Sequence, residues 1–236
     1  IIVFTIVYQN QQQLAFANNP TSSSLADTQN MKSIIDNSIN NATYYTFENA
    51  TTPSIGIDNK TNTIYSVYFK NETQGGNLYL QKSEDMGKTF SAPVRINKID
   101  GSINVDEQWS APGLGIGQNS DIHVVWYSAD HSQPDKYPYG QVTIKYARSL
   151  DGGNTFQSEI NPAPDDPKGE QSYPFIVVSG NKVHISYLNL DYDAEENTAG
   201  TNTVVRVVSS SDTGKTFSKS VISDKSACQC CSTVAT

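Results

Sequence analysis

Three segments of the chain carry the same succession of apolar and polar positions. Each opens on a proline-led apolar stretch: Pro53-Ser54-Ile55-Gly56-Ile57, Pro112-Gly113-Leu114-Gly115-Ile116 and Pro174-Phe175-Ile176-Val177-Val178. An aromatic-rich stretch follows, as Ile64-Tyr65-Ser66-Val67-Tyr68, Ile122-His123-Val124-Val125-Trp126 and Val183-His184-Ile185-Ser186-Tyr187, with turn residues such as Asp58-Asn59 and Gly180-Asn181 between. β-Branched and aromatic residues bounded by turn formers predict paired strands. A third such stretch is Leu78-Tyr79-Leu80-Gln81, Val142-Thr143-Ile144-Lys145-Tyr146 and Val204-Val205-Arg206-Val207-Val208, and a fourth is clearest at Ala92-Pro93-Val94-Arg95-Ile96. The chain therefore predicts units of four antiparallel strands.

Between the third and fourth strands of each unit lies one octapeptide, Ser-x-Asp-x-Gly-x-Thr-Phe. Its fixed positions are Ser83, Asp85, Gly87, Thr89 and Phe90, then Ser149, Asp151, Gly153, Thr155 and Phe156, then Ser210, Asp212, Gly214, Thr216 and Phe217. The aspartates fall at intervals of 66 and 61 residues, a period larger than a hairpin and smaller than a domain, which marks a repeat architecture. Glycine suits a turn that needs positive φ, the aspartate can accept hydrogen bonds from turn N–H groups, and the phenylalanine can pack beneath. Four-stranded antiparallel units repeated about an axis are the blades of a β-propeller, an all-β fold.

The octapeptides match the Asp-box, or bacterial neuraminidase repeat, and over residues 50 to 225 the chain resembles the sialidase superfamily. The resemblance implies a propeller in which the Asp-boxes stabilise turns on the face away from the active site. It also implies that about three blades of six are present: 49–104, 105–164 and 165–225, with 226–236 opening a fourth whose innermost strand is Thr233-Val234-Ala235. Sialidases use a Tyr nucleophile, and the family holds the substrate carboxylate with three Arg and uses an Asp as acid/base. One of those Arg precedes the Pro of the first blade by two residues. Here that position is Thr51, and the matching residues are Ser110 and Ser172. The three arginines of the chain, Arg95, Arg148 and Arg206, lie beside the Asp-boxes instead. A Thr hydroxyl does not replace a bidentate guanidinium.

Composition narrows the partners. Hydrophobic residues make up 36% and the net charge is −8, so the clustered basic residues that nucleic-acid binding requires are missing. Residues 1–17 end an apolar run with Ala15-Phe16-Ala17, which reads as a signal-peptide remnant cleaved after Ala17; the alternative is a buried N-terminal strand. The run is too short for a transmembrane span. Residues 18–48 form a polar lead-in, and 49–236 a partial propeller. Sequons at Asn41, Asn49, Asn59 and Asn71 fit a secreted or cell-surface protein.

Candidate chemistry falls on the end opposite the octapeptides. Two long loops carry Asp130 and Tyr137, and Asp191 and Asp193, respectively. The crossings between blades carry Asp106, Glu107 and Trp109, and Glu170 and Tyr173. Tyr rings with carboxylates suit sugars, and solvated loop is the bland alternative. The sequence demands no cofactor, although Asp191, Asp193 and Glu195 offer oxygen ligands for Ca²⁺. Cys228, Cys230 and Cys231 could form disulfides or give thiolates to copper or zinc. The expected function is recognition of a glycan or other extracellular ligand opposite the octapeptides. The alternatives are an exo-sialidase or related glycoside hydrolase with its remaining catalytic residues beyond Thr236, and a metal- or redox-linked propeller.

Overall fold

Seven consecutive buried residues, Thr63 to Phe69, break the in–out alternation of a strand that has one wet face. Such a run belongs to a strand with neighbours on both sides, as in the middle of a blade. The computed structural model describes residues 2–6, 43–47, 49–108, 110–132, 135, 140–166, 169–193, 198–225 and 227; the side chains of 2–6, 43–46, 107 and 191–202 are outside that description.

Three antiparallel sheets follow one another along the chain. The first blade consists of β3 (Ala50–Asp58), β4 (Thr63–Glu72), β5 (Gly75–Ser83) and β6 (Val94–Arg95), preceded by the pair β1 (Ile2–Ile6) and β2 (Thr43–Phe47). A 3₁₀ turn, Val105–Glu107, leads to the second blade of β7 (Gly113–Ile116), β8 (Ile122–Asp130) and β9 (Gln141–Ser149). The third blade is β10 (Glu170–Ser179), β11 (Lys182–Asp193), β12 (Thr198–Ser210) and β13 (Val221–Asp224). The chain is thus a partial all-β propeller. Two details differ from the sequence expectation. The fourth strand of the middle blade is reduced to one bridge, Tyr146 to Ile160. The polar lead-in ends in β2, because Thr43-Tyr44-Tyr45-Thr46-Phe47 is uniformly β-prone.

The inner strands interlock through glycine. A Cβ on Gly56 of β3 would meet Ile116 Cδ1 at 3.0 Å and Leu114 Cδ2 at 3.1 Å on β7; one on Gly115 of β7 would meet Val178 Cγ2 of β10 at 2.4 Å. Small positions on one blade therefore receive branched residues from the next. Between the first two blades a core gathers Tyr65, Val67, Leu80, Ile122, Val124 and Trp126. A second, between the next two, gathers Val125, Tyr146, Ile176, Ile185 and Tyr187.

The octapeptides close their turns by one repeated network. Ser83, Ser149 and Ser210 accept the N–H of the glycine four residues on at 2.8, 2.8 and 2.9 Å. Each serine hydroxyl donates to its aspartate, and each aspartate accepts the threonine N–H at 2.9 Å and its hydroxyl at 2.6 Å. Gly87, Gly153 and Gly214 have φ of 86°, 82° and 73°, where a Cβ is disfavoured. Each phenylalanine reaches the preceding layer. Phe156 enters the core of the first two blades, Phe217 meets the Tyr146 ring edge-on at 5.0 Å, and Phe90 meets Phe47 at 5.3 Å. Phe47 thereby covers the first blade as a neighbouring blade covers the others.

Candidate functional site

Antiparallel order puts the octapeptides and the turns joining the first two strands of each blade at one end. There Ser120 Oγ donates to Asp58 across the first two blades at 2.5 Å, and Lys60 Nζ donates to the Gln118 carbonyl at 2.6 Å. At the opposite end the inner strands separate around a cavity of about 510 Å³. Its walls are Ile55, Leu114 and Phe175 with Pro112 and Pro174; its polar atoms come from Ser54, Ser110 and Tyr173. Ser54 Oγ donates to the Pro112 carbonyl at 2.5 Å, tying two inner strands together. The Tyr173 ring lies 6.3 Å from that of Tyr127.

The upper ends of β3 and β10 are bulged. Register slips between Thr51 and Ser54 on the first and between Ser172 and Phe175 on the second. Within these bulges Thr52 has φ 42° and Tyr173 φ 49°, and each precedes a proline. Positive φ is strained for a side chain with a Cβ, more so for β-branched Thr, and the following proline adds its own restriction. Strain of this kind costs about 1–3 kcal/mol per residue and gathers at ligand-contacting positions. The hydroxyls of Thr51, Thr52 and Ser110 are buried without a hydrogen-bond partner, although a buried hydroxyl ordinarily finds one. Of these, Ser110 lines the cavity, while Thr51 and Thr52 precede the cavity-lining Ser54 on β3.

The residues proposed from the sequence separate into groups. Tyr173 lines the cavity. Glu170, three residues before it at the start of β10, is half-buried, and burial raises its carboxyl above the usual carboxylate range. Asp130 ends β8 on a different cleft, of about 340 Å³, with Trp126, Lys145 and Glu159; its carboxylate accepts the Ser132 N–H at 2.9 Å, which lowers its pKa. Asp106 is exposed in the 3₁₀ turn that also contains Glu107. Asp191 and Asp193 extend β11 beyond Leu190, with side chains outside the description. Trp109, Tyr137, Cys228, Cys230 and Cys231 lie outside the described residues, among which no cluster of three metal-ligating side chains occurs.

The Glu-Gln pair at the crossing into the third blade divides between two tasks. Gln171 accepts the Ile144 N–H at 3.2 Å and donates to the Ala163 carbonyl at 3.0 Å, so it links the blades and does not face the cavity. The sequence reading missed Ser54 and the bulge hydroxyls as a group. Its one signal was the registration of Thr51 and Ser110 with the arginine position of the resemblance.

The arginines are held elsewhere. Arg95 pairs with Asp100 at 2.8 Å. Arg148 donates to Gln157 and, at 2.5 Å, to the Thr213 carbonyl in the third octapeptide. Arg206 pairs with the fully buried carboxylate of Asp166 at 2.9 Å. Among the described residues that line the cavity there is no Lys, Arg, His or carboxylate.

In sequence, the chain matches no protein-family model and no curated protein. In fold it is similar to a Dyadobacter fermentans protein of unknown function (TM-score 0.52, 20% identity, covering 75% of this chain and 52% of that one). It is also similar to an α-L-arabinofuranosidase from Fusarium graminearum (0.51, 17%, covering 78% and 51%). An ulvan lyase of a new polysaccharide lyase family gives 0.50 at 14%, covering 79% and 47%. These similarities support the fold, a β-propeller, and this chain spans about half the length of each structure it matches.

Proposed function

We propose that the protein is an exported, sialidase-like Asp-box propeller that recognises a glycan at the axial cavity opposite the octapeptides. The observation that carries the reading is the cavity itself. It combines apolar walls and a tyrosine ring with the hydroxyls of Ser54 and Ser110, the latter without a hydrogen-bond partner, the pairing of apolar surface and few polar groups that suits a sugar ring. The arabinofuranosidase and the ulvan lyase support a carbohydrate ligand by the activities in their names. Export is supported by the apolar run ending in Ala-x-Ala and by exposed sequon residues Asn49, Asn59 and Asn71. Cleavage after Ala17 would remove β1 and leave β2 without its partner, and the mass of the exported protein tests it.

A second reading, a glycoside hydrolase, draws on Glu170. A carboxyl raised by burial, three residues before the cavity-lining Tyr173, is suited to general-acid work. Glycan-array binding by the full chain and by Tyr173→Ala tests the first reading. Binding to a defined glycan set, weakened about tenfold or more in the variant, is the expected result. Binding to none, or binding indifferent to Tyr173, would sink it. Release of reducing sugar that is lost in Glu170→Gln would favour the hydrolase.

A further inference from the structure

We infer that the axial cavity takes a neutral sugar, held through hydroxyl-to-hydroxyl hydrogen bonds, and discriminates against sugar acids; the inference rests on the glycan reading above. A carboxylate entering a half-enclosed site needs a cation or several convergent donors, otherwise its lost hydration is not replaced. The cavity supplies no cation among its described residues. Nor can the chain's arginines turn to it without breaking other structure. Arg148 is bonded to the octapeptide end, opposite the cavity, Arg206 neutralises a buried aspartate, and Arg95 is paired with Asp100.

What the cavity lining does present are Ser54 and Ser110, the latter with an unsatisfied hydroxyl; Thr51 and Thr52, also unsatisfied, precede Ser54 on the same strand. A hydroxyl both donates and accepts. It can therefore match a sugar hydroxyl in either sense, whereas toward an anion it offers one donor and two repelling lone pairs. Thr51 and Ser110 occupy the positions at which the resemblance places the carboxylate-binding arginine of the first blade and its repeat equivalent. The substitution thus exchanges charge for neutral hydrogen bonding at the same height in the propeller. The overall field acts in the same direction, since the chain carries a net charge of −8.

Ile55, Leu114, Phe175 and the Tyr173 ring complete the match with the apolar C–H faces of an uncharged ring. The strained backbone at Thr52 and Tyr173 lies on two inner strands that both contribute to the cavity lining. Pre-set hydroxyls lose little freedom on binding, which is where the strain is recovered.

The test uses the full chain with two sets of probes: neutral oligosaccharides such as arabinobiose, xylobiose and galactobiose, and the acids sialyllactose and digalacturonate. Titration calorimetry on wild type, Thr51→Val and Ser110→Ala should show a neutral probe bound at least about tenfold more tightly than either acid, with affinity indifferent to salt. Each variant should weaken that probe about fivefold to tenfold. Its thermal midpoint should stay unchanged, because the removed hydroxyl has no protein partner to lose. A preference for sialyllactose or digalacturonate, weakening as salt rises, overturns the inference and leaves the glycan reading standing. Neutral binding unaffected by both variants removes the hydroxyls from the site and overturns it as well. Binding of no probe overturns both.

Discussion

His123 shows how much one residue type depends on its surroundings. Its ring is fully buried, Nδ1 lies 2.6 Å from the Tyr146 hydroxyl, and Nε2 has no partner. Burial, aided by the Arg148 charge, pushes the imidazole down to about 4. The folded state therefore prefers neutral histidine, while the unfolded chain binds a proton near the ordinary value of 6.5. Stability from this group is complete above pH 6.5 and is lost as pH falls toward 4, by on the order of 3 kcal/mol. Urea titrations at pH 4.5 and 7 should show this loss in wild type and a much smaller one in His123→Gln. The octapeptide carboxylates act at lower pH. Hydrogen bonds from Thr89 and Ser83 hold Asp85 at about 2. For Asp151, burial works upward, but Ser149 and Thr155 outweigh it and hold the group at about 2 as well. Their contribution is present above the ordinary aspartate range and disappears only as pH falls through about 2.

Ser149 is fully buried and supports both the Gly153 N–H and Asp151. Ser149→Ala leaves that N–H without a partner and should cost about 1–3 kcal/mol in urea unfolding. Ligand affinity should not change, because the octapeptide lies at the far end from the cavity. The turn itself was readable from the sequence. The octapeptide contacts span four residues at most, so the octapeptide carries its own explanation. The unsatisfied hydroxyls were not readable: lacking a partner is a property of what surrounds Thr51, Thr52 and Ser110 in space.

Among the elements, the inner strands decide the spacing of the blades. Gly115 faces Val178 at 2.4 Å from its notional Cβ, and Gly56 faces more distant, more yielding side-chain ends at 3.0 and 3.1 Å. Gly115→Ala should therefore destabilise by about 1–3 kcal/mol through overpacking, with Gly56→Ala costing less. Thermal unfolding of the two variants checks the order. Most strands were legible because apolar clusters bounded by turn residues leave few alternatives. The fourth strand of the middle blade was not, because Gln157-Ser158-Glu159-Ile160-Asn161 offers a single apolar residue before Pro162, and only the Tyr146–Ile160 bridge forms. The Gln171 amide completes the edge there by accepting the Ile144 N–H from the neighbouring blade. No local pattern announces a bond across 27 residues.

For the whole molecule, one repeat position has two fates. Ile116 packs against Gly56 between two blades, while its equivalent Ile57 is 56% exposed on the outward side of the first blade. Ile57→Ser should change stability by less than about 0.5 kcal/mol, and Ile116→Ser by about 1–3 kcal/mol, measured by urea unfolding of this chain. The same logic explains what each level of description could determine. The amino-acid sequence by itself determined the strand repeat and the octapeptide turns, since both arise from contacts among near neighbours and from the periodicity of apolar residues. Only the tertiary structure decided where a cavity opens. The cavity walls come from Ser54 and Ile55, Ser110 to Leu114, and Tyr173 to Ile176, stretches far apart in the chain, and they enclose a space only because glycine on one inner strand admits the branched side chains of the next.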